Sequence, residues 1–326
     1  MSNNVSNTMD LIKKSTSPFI YHNEVNVEAD KNNKNLSKDD VLFLYNQDTF
    51  VLSDLHIVKM IAQYSFLTQI QIFSAIQAYL NKYPNIPLVK DVDGLRNRLR
   101  YLTKSALIRR YHFQALDKNK NQLKKQSYYC VSPHGYNYIK RIVNFKEKYN
   151  EYIAATPIDE VFKFLSTGVV IQALINKSSS ITFTMNKQVY VKEIKSIYDI
   201  YGEIKNKVNN IDYRVLIEPF KLRYDKNRMT EIEWKNNLNE RIDFIKTYFS
   251  RYSADVSPYV IFSCEDLEGL KQAMKIIKDP LEDYLDSIYF TTDAILFFYG
   301  LDNALIKVVN DKGKSVLYCE DSIPFL

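Results

Sequence analysis

The stretch KDVDGLRNRLRYLTKSALIRRYHF, Lys90 to Phe113, constrains this chain most, because one helical period there separates an apolar seam from a cationic face. On a helix turning about 100° per residue, Val92, Leu95, Leu99, Leu102 and Ala106 point one way. The opposite side presents Lys90, Asp93, Gly94, Asn97, Arg100, Tyr101 and Lys104, with Arg96 and Arg98 on the flanks. The seam demands a core to lie on. The outer set is rich in donors suited to phosphates and base edges.

The neighbouring segments supply that core. A helix is expected from Ser53, its N-cap, with Leu55, Val58, Ile61 and Ala62 inward, and a second from Gln69 to Asn81 behind the cap Thr68, with Ile72, Phe73, Ile76 and Leu80 inward. NKYPNIPL breaks the chain before the Lys90 stretch. After that stretch, RRYHFQAL reads as a strand, DKNKNQLKK as a polar tip carrying Lys118, Lys120, Lys124 and Lys125, and SYYCV as the returning strand. Ser132 as cap and Pro133 at the first position open a further helix over Tyr136–Phe145. Residues 1–50, polar and rich in Asn and Lys, are expected as a flexible N-terminal arm that ends in a short strand at Val41–Tyr45.

The order helix, helix, recognition helix, two-stranded wing, helix is that of winged helix-turn-helix domains. LRYLTKSALIRRY followed by YYCVSPHGYNYI is similar to the L-x-x-L-x-x-x-G-L-I-x-R … Y-x-L-T-x-x-G pattern of bacterial winged-helix proteins, with Ala106 where that pattern has Gly. The expected DNA contacts are Lys90, Arg96, Asn97, Arg98, Arg100, Tyr101 and Lys104 on the helix and Lys118, Lys120, Lys124 and Lys125 on the wing. Asn97 and Arg100 are placed to reach base edges, where a bidentate pair discriminates by roughly 1–3 kcal/mol. Tyr128, Tyr129, Tyr136 and Tyr138 are expected to pack around the wing rather than stack on bases. Gly94 either lets a phosphate approach or is merely tolerated near a helix start.

Charge supports a polyanionic partner for this segment. Lys90–Lys148 holds fifteen Lys+Arg against four Asp+Glu, a local +11, so the rest of the chain carries −5 of the net +6. No run of about 18 apolar residues could cross a bilayer, and the N-terminus lacks the apolar core of a secretory signal, so a cytoplasmic protein without membrane contact is expected. Cys130, Cys264 and Cys319 are scattered and the four histidines lie apart, which gives no disulfide framework or zinc site; no cofactor and no metal ligands are expected. P-loop, dinucleotide, zincin and serine-hydrolase motifs are missing from the sequence.

Residues 149–165 read as a linker helix into a second domain, 166–326, with Thr156-Pro157 marking the boundary. There GVVIQALINK suggests a helix, SITFTMNKQVYVKEI a hairpin around Asn186-Lys187, and YRVLIEPFKLRY a strand. A long helix over Thr230–Tyr252 carries a capping box of Thr230 and Glu233 and a stripe of Trp234, Leu238, Ile242, Ile245, Phe249 and Tyr252. SPYVIFSC as strand, EDLEGLKQAMKII as helix, SIYFTTDAILF as strand running into helix, and a last hairpin of ALIKVV with SVLYCE follow. This alternation implies an α/β domain with part of its sheet parallel.

VLIEPFK, TEIEWKNNLNERIDFIKTYF, SPYVIFSC and IYFTTDAIL, occurring in that order behind a winged helix, resemble the replication-relaxation family of plasmids and other mobile elements over residues 50 to 300. The resemblance implies an α+β winged helix-turn-helix domain (51–148) followed by an α/β domain, a degenerate restriction-endonuclease-like core, that mediates dimerisation or contact with replication or transfer proteins. It implies double-stranded DNA binding as a homodimer in replication or conjugative DNA processing. Two alternatives stand beside it: a transcriptional repressor of the same element, and a metal-dependent nuclease or nicking enzyme. For the nuclease the candidates are Asp199, Glu218 and Lys221. Lys221 lies three positions after Glu218, where strand alternation turns it to the opposite face, so no catalytic residue is expected.

Overall fold

The computed structural model describes residues 17, 19, 26–33, 37, 39–40, 50–114, 125–146, 149–191, 196–220, 230–253, 256–302, 304–311, 314–319 and 323–326. The chain is mixed α+β, with a small antiparallel sheet and a larger mixed one. It divides into two units, Tyr21–Gly168, and Val169–Leu326 taken with Met1–Ile20.

In the first unit, α1 (Leu52–Tyr64), α2 (Gln69–Lys82) and α3 (Val92–Lys104) precede a hairpin, and α4 (Pro133–Val143) follows it. The hairpin strands are β3 (Ile108–Gln114) and β4 (Gln126–Val131); with β1 (Asn26–Ala29) and β2 (Leu67–Thr68) they form an antiparallel sheet ordered β1-β3-β4-β2. Thr68 and Ser132 cap their helices as expected from the sequence, accepting from the Gln71 and Gly135 N–H groups, and Pro133 occupies the first turn of α4; Asp91 caps α3 by accepting from the Gly94 N–H. The first helix departs from expectation. Ser53 lies inside its first turn, buried, with its hydroxyl donating to the Pro87 carbonyl, and Asp54 takes the capping role by accepting from the Val51 N–H. Ile57, Val58, Ile61 and Tyr64 are its buried positions, whereas Leu55 and Ala62 are half-buried.

The joint between α3 and the hairpin is a Schellman turn. Leu107 N–H bonds the Leu102 carbonyl and Ala106 N–H bonds that of Thr103, with Ala106 left-handed at φ 54°. Leu107 then meets α4 closely. Ser132 donates to the Ala106 and Leu107 carbonyls, and a Cβ on Gly135 would stand 1.9 Å from the Leu107 oxygen, so only glycine fits there.

Part of the expected arm is ordered strand: Asn26–Ala29 pairs with Tyr111–Gln114 along the open side of β3. The strand expected at Val41–Tyr45 lies outside the described residues. In the expected linker, 149–165, the structure has a 3₁₀ turn at Ile153–Ala155 and then α5 (Ile158–Lys177), which begins beside Pro157 and continues past residue 165 without a break. The first half of α5 packs within the first unit: Phe162 meets Phe113, Phe164 meets Phe66, and Gln71 donates to the Leu165 carbonyl.

The second unit is built on a seven-stranded sheet: β5 (Thr182–Val191), β6 (Ser196–Val208), β7 (Ile211–Phe220), β8 (Ser257–Cys264), β9 (Ile288–Thr292), β10 (Ile306–Asp311) and β11 (Lys314–Cys319), in the order β11-β10-β9-β8-β7-β6-β5. The pairs β7–β8 and β8–β9 are parallel and the outer pairs antiparallel. The parallel crossovers are made by α6 (Glu231–Tyr252), with the Thr230/Glu233 capping box intact, and by α7 (Leu267–Lys278); the short α8 (Asp293–Tyr299) leaves β9. On α6, Leu238, Ile242, Phe244, Ile245, Tyr248 and Phe249 are buried, and Trp234 is half-buried. The hairpin expected around Asn186-Lys187 is instead one strand. Asn186 adopts φ 53°, yet the pairing with β6 keeps one register on both sides of it. β5 runs on to Val191, which pairs with Ser196 at the start of β6, an additional strand. Asn209-Asn210, both left-handed, join β6 to β7 in a two-residue turn, the conformation that favours Asn.

Candidate nucleic-acid interface

Leu95, Leu99 and Leu102 of α3 are buried, as the seam requires. Val92 is 43% exposed, because side chains lean toward the helix N-terminus and a residue at the first position projects past the end. On the other side Lys90, Arg96, Asn97, Arg100 and Lys104 are all exposed. They form one surface on a helix whose back is anchored. Arg96 holds Asp93 at 2.6 Å, a solvent-exposed pair that water or phosphate can replace.

Two of the expected contacts are turned inward. The Arg98 guanidinium grips Asp54, whose side chain is fully buried, through Nε at 2.8 Å and a second bond from Nη2. That fork closes α3 onto the first turn of α1 and serves the fold. Tyr101 packs its ring against Phe50, which also meets Tyr138, and lies beneath the Arg98 guanidinium; its hydroxyl is buried without a hydrogen-bond partner among the described residues. A helical wheel places Tyr101 outward because it cannot see Phe50 arriving from before α1. Burial, with Asp54 nearby, pushes the Tyr138 hydroxyl up to about 12.

Gly94 also has a local task. Its N–H donates to Asp91 at 2.7 Å, and an added Cβ would come within 3.2 Å of that carboxylate and of Val89, so the glycine lets the cap close. Tyr128, Tyr129 and Tyr138 are buried; Tyr111 stacks on Tyr128 at 5.3 Å. Cys130 and Cys264 are buried, and burial raises the Cys130 thiol to about 12.

Of the hairpin-tip lysines, Lys118, Lys120 and Lys124 lie outside the described residues. Lys125 is exposed and paired at 2.6 Å with Glu28 of β1. A second tie runs deeper and has no counterpart among the expectations from sequence. His112 on β3 bonds Asp30 through Nε2 and Ser127 through Nδ1, both at 2.9 Å, while Arg110 reaches Asp30 at 3.3 Å and Ser127 at 3.3 Å. Burial opposes the Asp30 carboxylate, but bonds from Asn32 and His112 and the charge of Arg110 hold it below the usual range. The network fastens β1 to the hairpin. Its bond from His112 to Asp30 spans 82 positions of the chain, so spacing could not have revealed it.

In the second unit two of the nuclease candidates stand on adjacent strands, Asp199 on β6 and Glu218 on β7, and both carboxylates act on Arg241. Glu218 is nearly buried and accepts from Arg241 Nε at 2.8 Å and from Nη2; burial works against that guanidinium's charge, and the Glu218 carboxylate more than restores it. Asp199 is exposed and accepts from Gln188, and Lys221 lies outside the described residues. Among the described residues no three His, Cys, Asp or Glu side chains group as metal ligands, and no helix is long and apolar enough to cross a membrane.

No family model matches this sequence, and no curated protein matches it. A crystal structure, that of protein VC1899 from Vibrio cholerae, overlaps 84% of the chain at 9% identity with a TM-score of 0.27, a likeness too slight to bear on fold or function. The chain spans 56% of that protein's length.

Proposed function

We propose that the first unit is a winged helix that binds double-stranded DNA, with α3 in the major groove and the β3–β4 hairpin as its wing. One observation carries this: Arg96, Asn97, Arg100 and Lys104 share the solvent side of a helix whose other side is buried, exposed Lys90 stands just before its cap, and a hairpin with a lysine-rich tip follows directly. Exposed cations hold phosphates and set register, while Asn97 and Arg100 have the donor geometry for adenine and guanine edges. Arg98 and Tyr101 belong to the scaffold behind that face. The resemblance to the replication-relaxation family makes a plasmid or mobile element the expected setting, with replication or conjugative processing as the role, the second unit as the place of dimerisation or partner contact, and the cytoplasm as the compartment.

The test is duplex binding by the full chain carrying Asn97→Ala and Arg100→Ala. Selected sites should lose about 2–5 kcal/mol of specific binding, the sum for two lost base contacts, with an unchanged unfolding midpoint. Unaltered affinity and footprint would remove α3 as the reading head. The Glu218–Arg241 pair weighs against the nuclease alternative, since that carboxylate is already engaged.

A further inference from the structure

We propose that the second unit holds a binding site for a small phosphate-bearing anion, in a cleft beside β6 and β7. The cleft has a volume of about 370 Å³ and is lined by Lys205, Lys207, Arg214, Asp212, Tyr213 and Thr182, among others. That volume lies at the lower end of small-ligand sites, about 300–1,000 Å³.

The sheet register assembles the charges. Thr182 pairs with Lys205 and Lys205 with Arg214, so two cations stand opposite each other across one antiparallel pair. Lys207 opposes Asp212 two register positions further along, their charged atoms 3.9 Å apart. Arg214 is pre-oriented, with its guanidinium 3.9 Å from the centre of the Tyr252 ring and 3.6 Å from the buried Glu203 carboxylate. Lys205 is exposed, and among the described residues no carboxylate pairs with it. The wall behind is fixed by Asn206, which donates to the Phe325 carbonyl and accepts from the Ser180 hydroxyl and the Lys207 N–H. Lys205, Lys207 and Arg214 against the carboxylates of Asp212 and Glu203 leave one positive charge in excess at the mouth of the cleft, which suits a compact anion, and a phosphate monoester or free phosphate supplies the planar-fork acceptors that arginine prefers. The small volume favours a small molecule over a nucleic-acid backbone, which tracks a longer groove.

The experiment is a calorimetric titration of the full chain with inorganic phosphate and with a nucleoside monophosphate, sodium chloride holding ionic strength constant, repeated on the Lys205→Gln, Lys207→Gln double variant. Both lysines are exposed, so the variant's thermal midpoint without phosphate should match the parent. Saturable binding that weakens about tenfold or more in the variant is expected. Binding that is absent, that does not saturate, or that is equal in both proteins overturns the proposal. So does a short DNA duplex that displaces phosphate from the parent and binds the variant less well, since the cleft would then belong to a polyanion track. The α3 face is untouched in this variant, so either idea can fail without the other.

Discussion

At the scale of single residues, several side chains answer to backbone demands. Ala106 sits left-handed at the turn that ends α3, a conformation that costs an L-residue about 1–2 kcal/mol and glycine almost nothing. Ala106→Gly should therefore raise stability by about 0.5–1 kcal/mol in urea titration, the unfolded chain's extra freedom taking back part of the gain. A loss of stability would mean that the Ala106 methyl earns more from burial than the backbone loses. Asp54 shows the opposite case. Its carboxylate is buried under Arg98 and caps α1, so Asp54→Ala should cost about 3 kcal/mol by stranding the guanidinium, while duplex affinity per folded molecule holds steady. Weakened affinity at unchanged stability would return Arg98 to the binding face. Asp30 gives a pH dependence. Its carboxyl is lowered in the folded chain, so its contribution is present above the unfolded value of about 3.9 and fades as pH falls through the lower folded value. Unfolding followed from pH 5 downward should show a decline below about pH 4 that Asp30→Asn flattens; an identical profile in the variant would leave Asp30 outside the acid response.

At the scale of elements, the sequence was most legible where a cap stood at the head of an apolar period. Thr68, Ser132 and Thr230 each announced a helix that the structure contains, because the capping hydrogen bond is local and uses the residue types that announce it. Partners far off in the chain were not legible. Val51 and Asp54, not Ser53, open α1, since Asp54 is held there by Arg98, 44 positions away. The strand β6 has mixed burial, and Asn186-Lys187 offered a turn signal that a left-handed asparagine satisfies within a continuous strand. β1 was hidden for a related reason. Asn26–Ala29 is too short and polar to show a period, and it becomes a strand only because β3 presents an unpaired edge. Its Glu28 and Asp30 then brace a hairpin that propensity alone would leave with an open side.

At the scale of the whole molecule, the +11 of Lys90–Lys148 against −5 elsewhere falls largely on exposed positions of the first unit, which is how a chain of modest net charge can present a strongly attractive surface. The mixed sheet with its parallel centre was also readable, from the alternation of strand and helix after residue 211. What the sequence could not show was which cations stay free: of the helix residues singled out, five are exposed and Arg98 and Tyr101 are engaged in packing. That distinction sets the central claim, which is electrostatic and has a direct measure. The duplex affinity of the full chain should be followed from about 50 to 200 mM salt. Four exposed helix cations and Lys125 together predict a slope of log K against log salt near −4 to −5, each neutralised phosphate contributing about −0.9, and Arg100→Ala should make it shallower by about one. A slope near zero, or one that Arg100→Ala leaves unchanged, would contradict a DNA-binding role for this face.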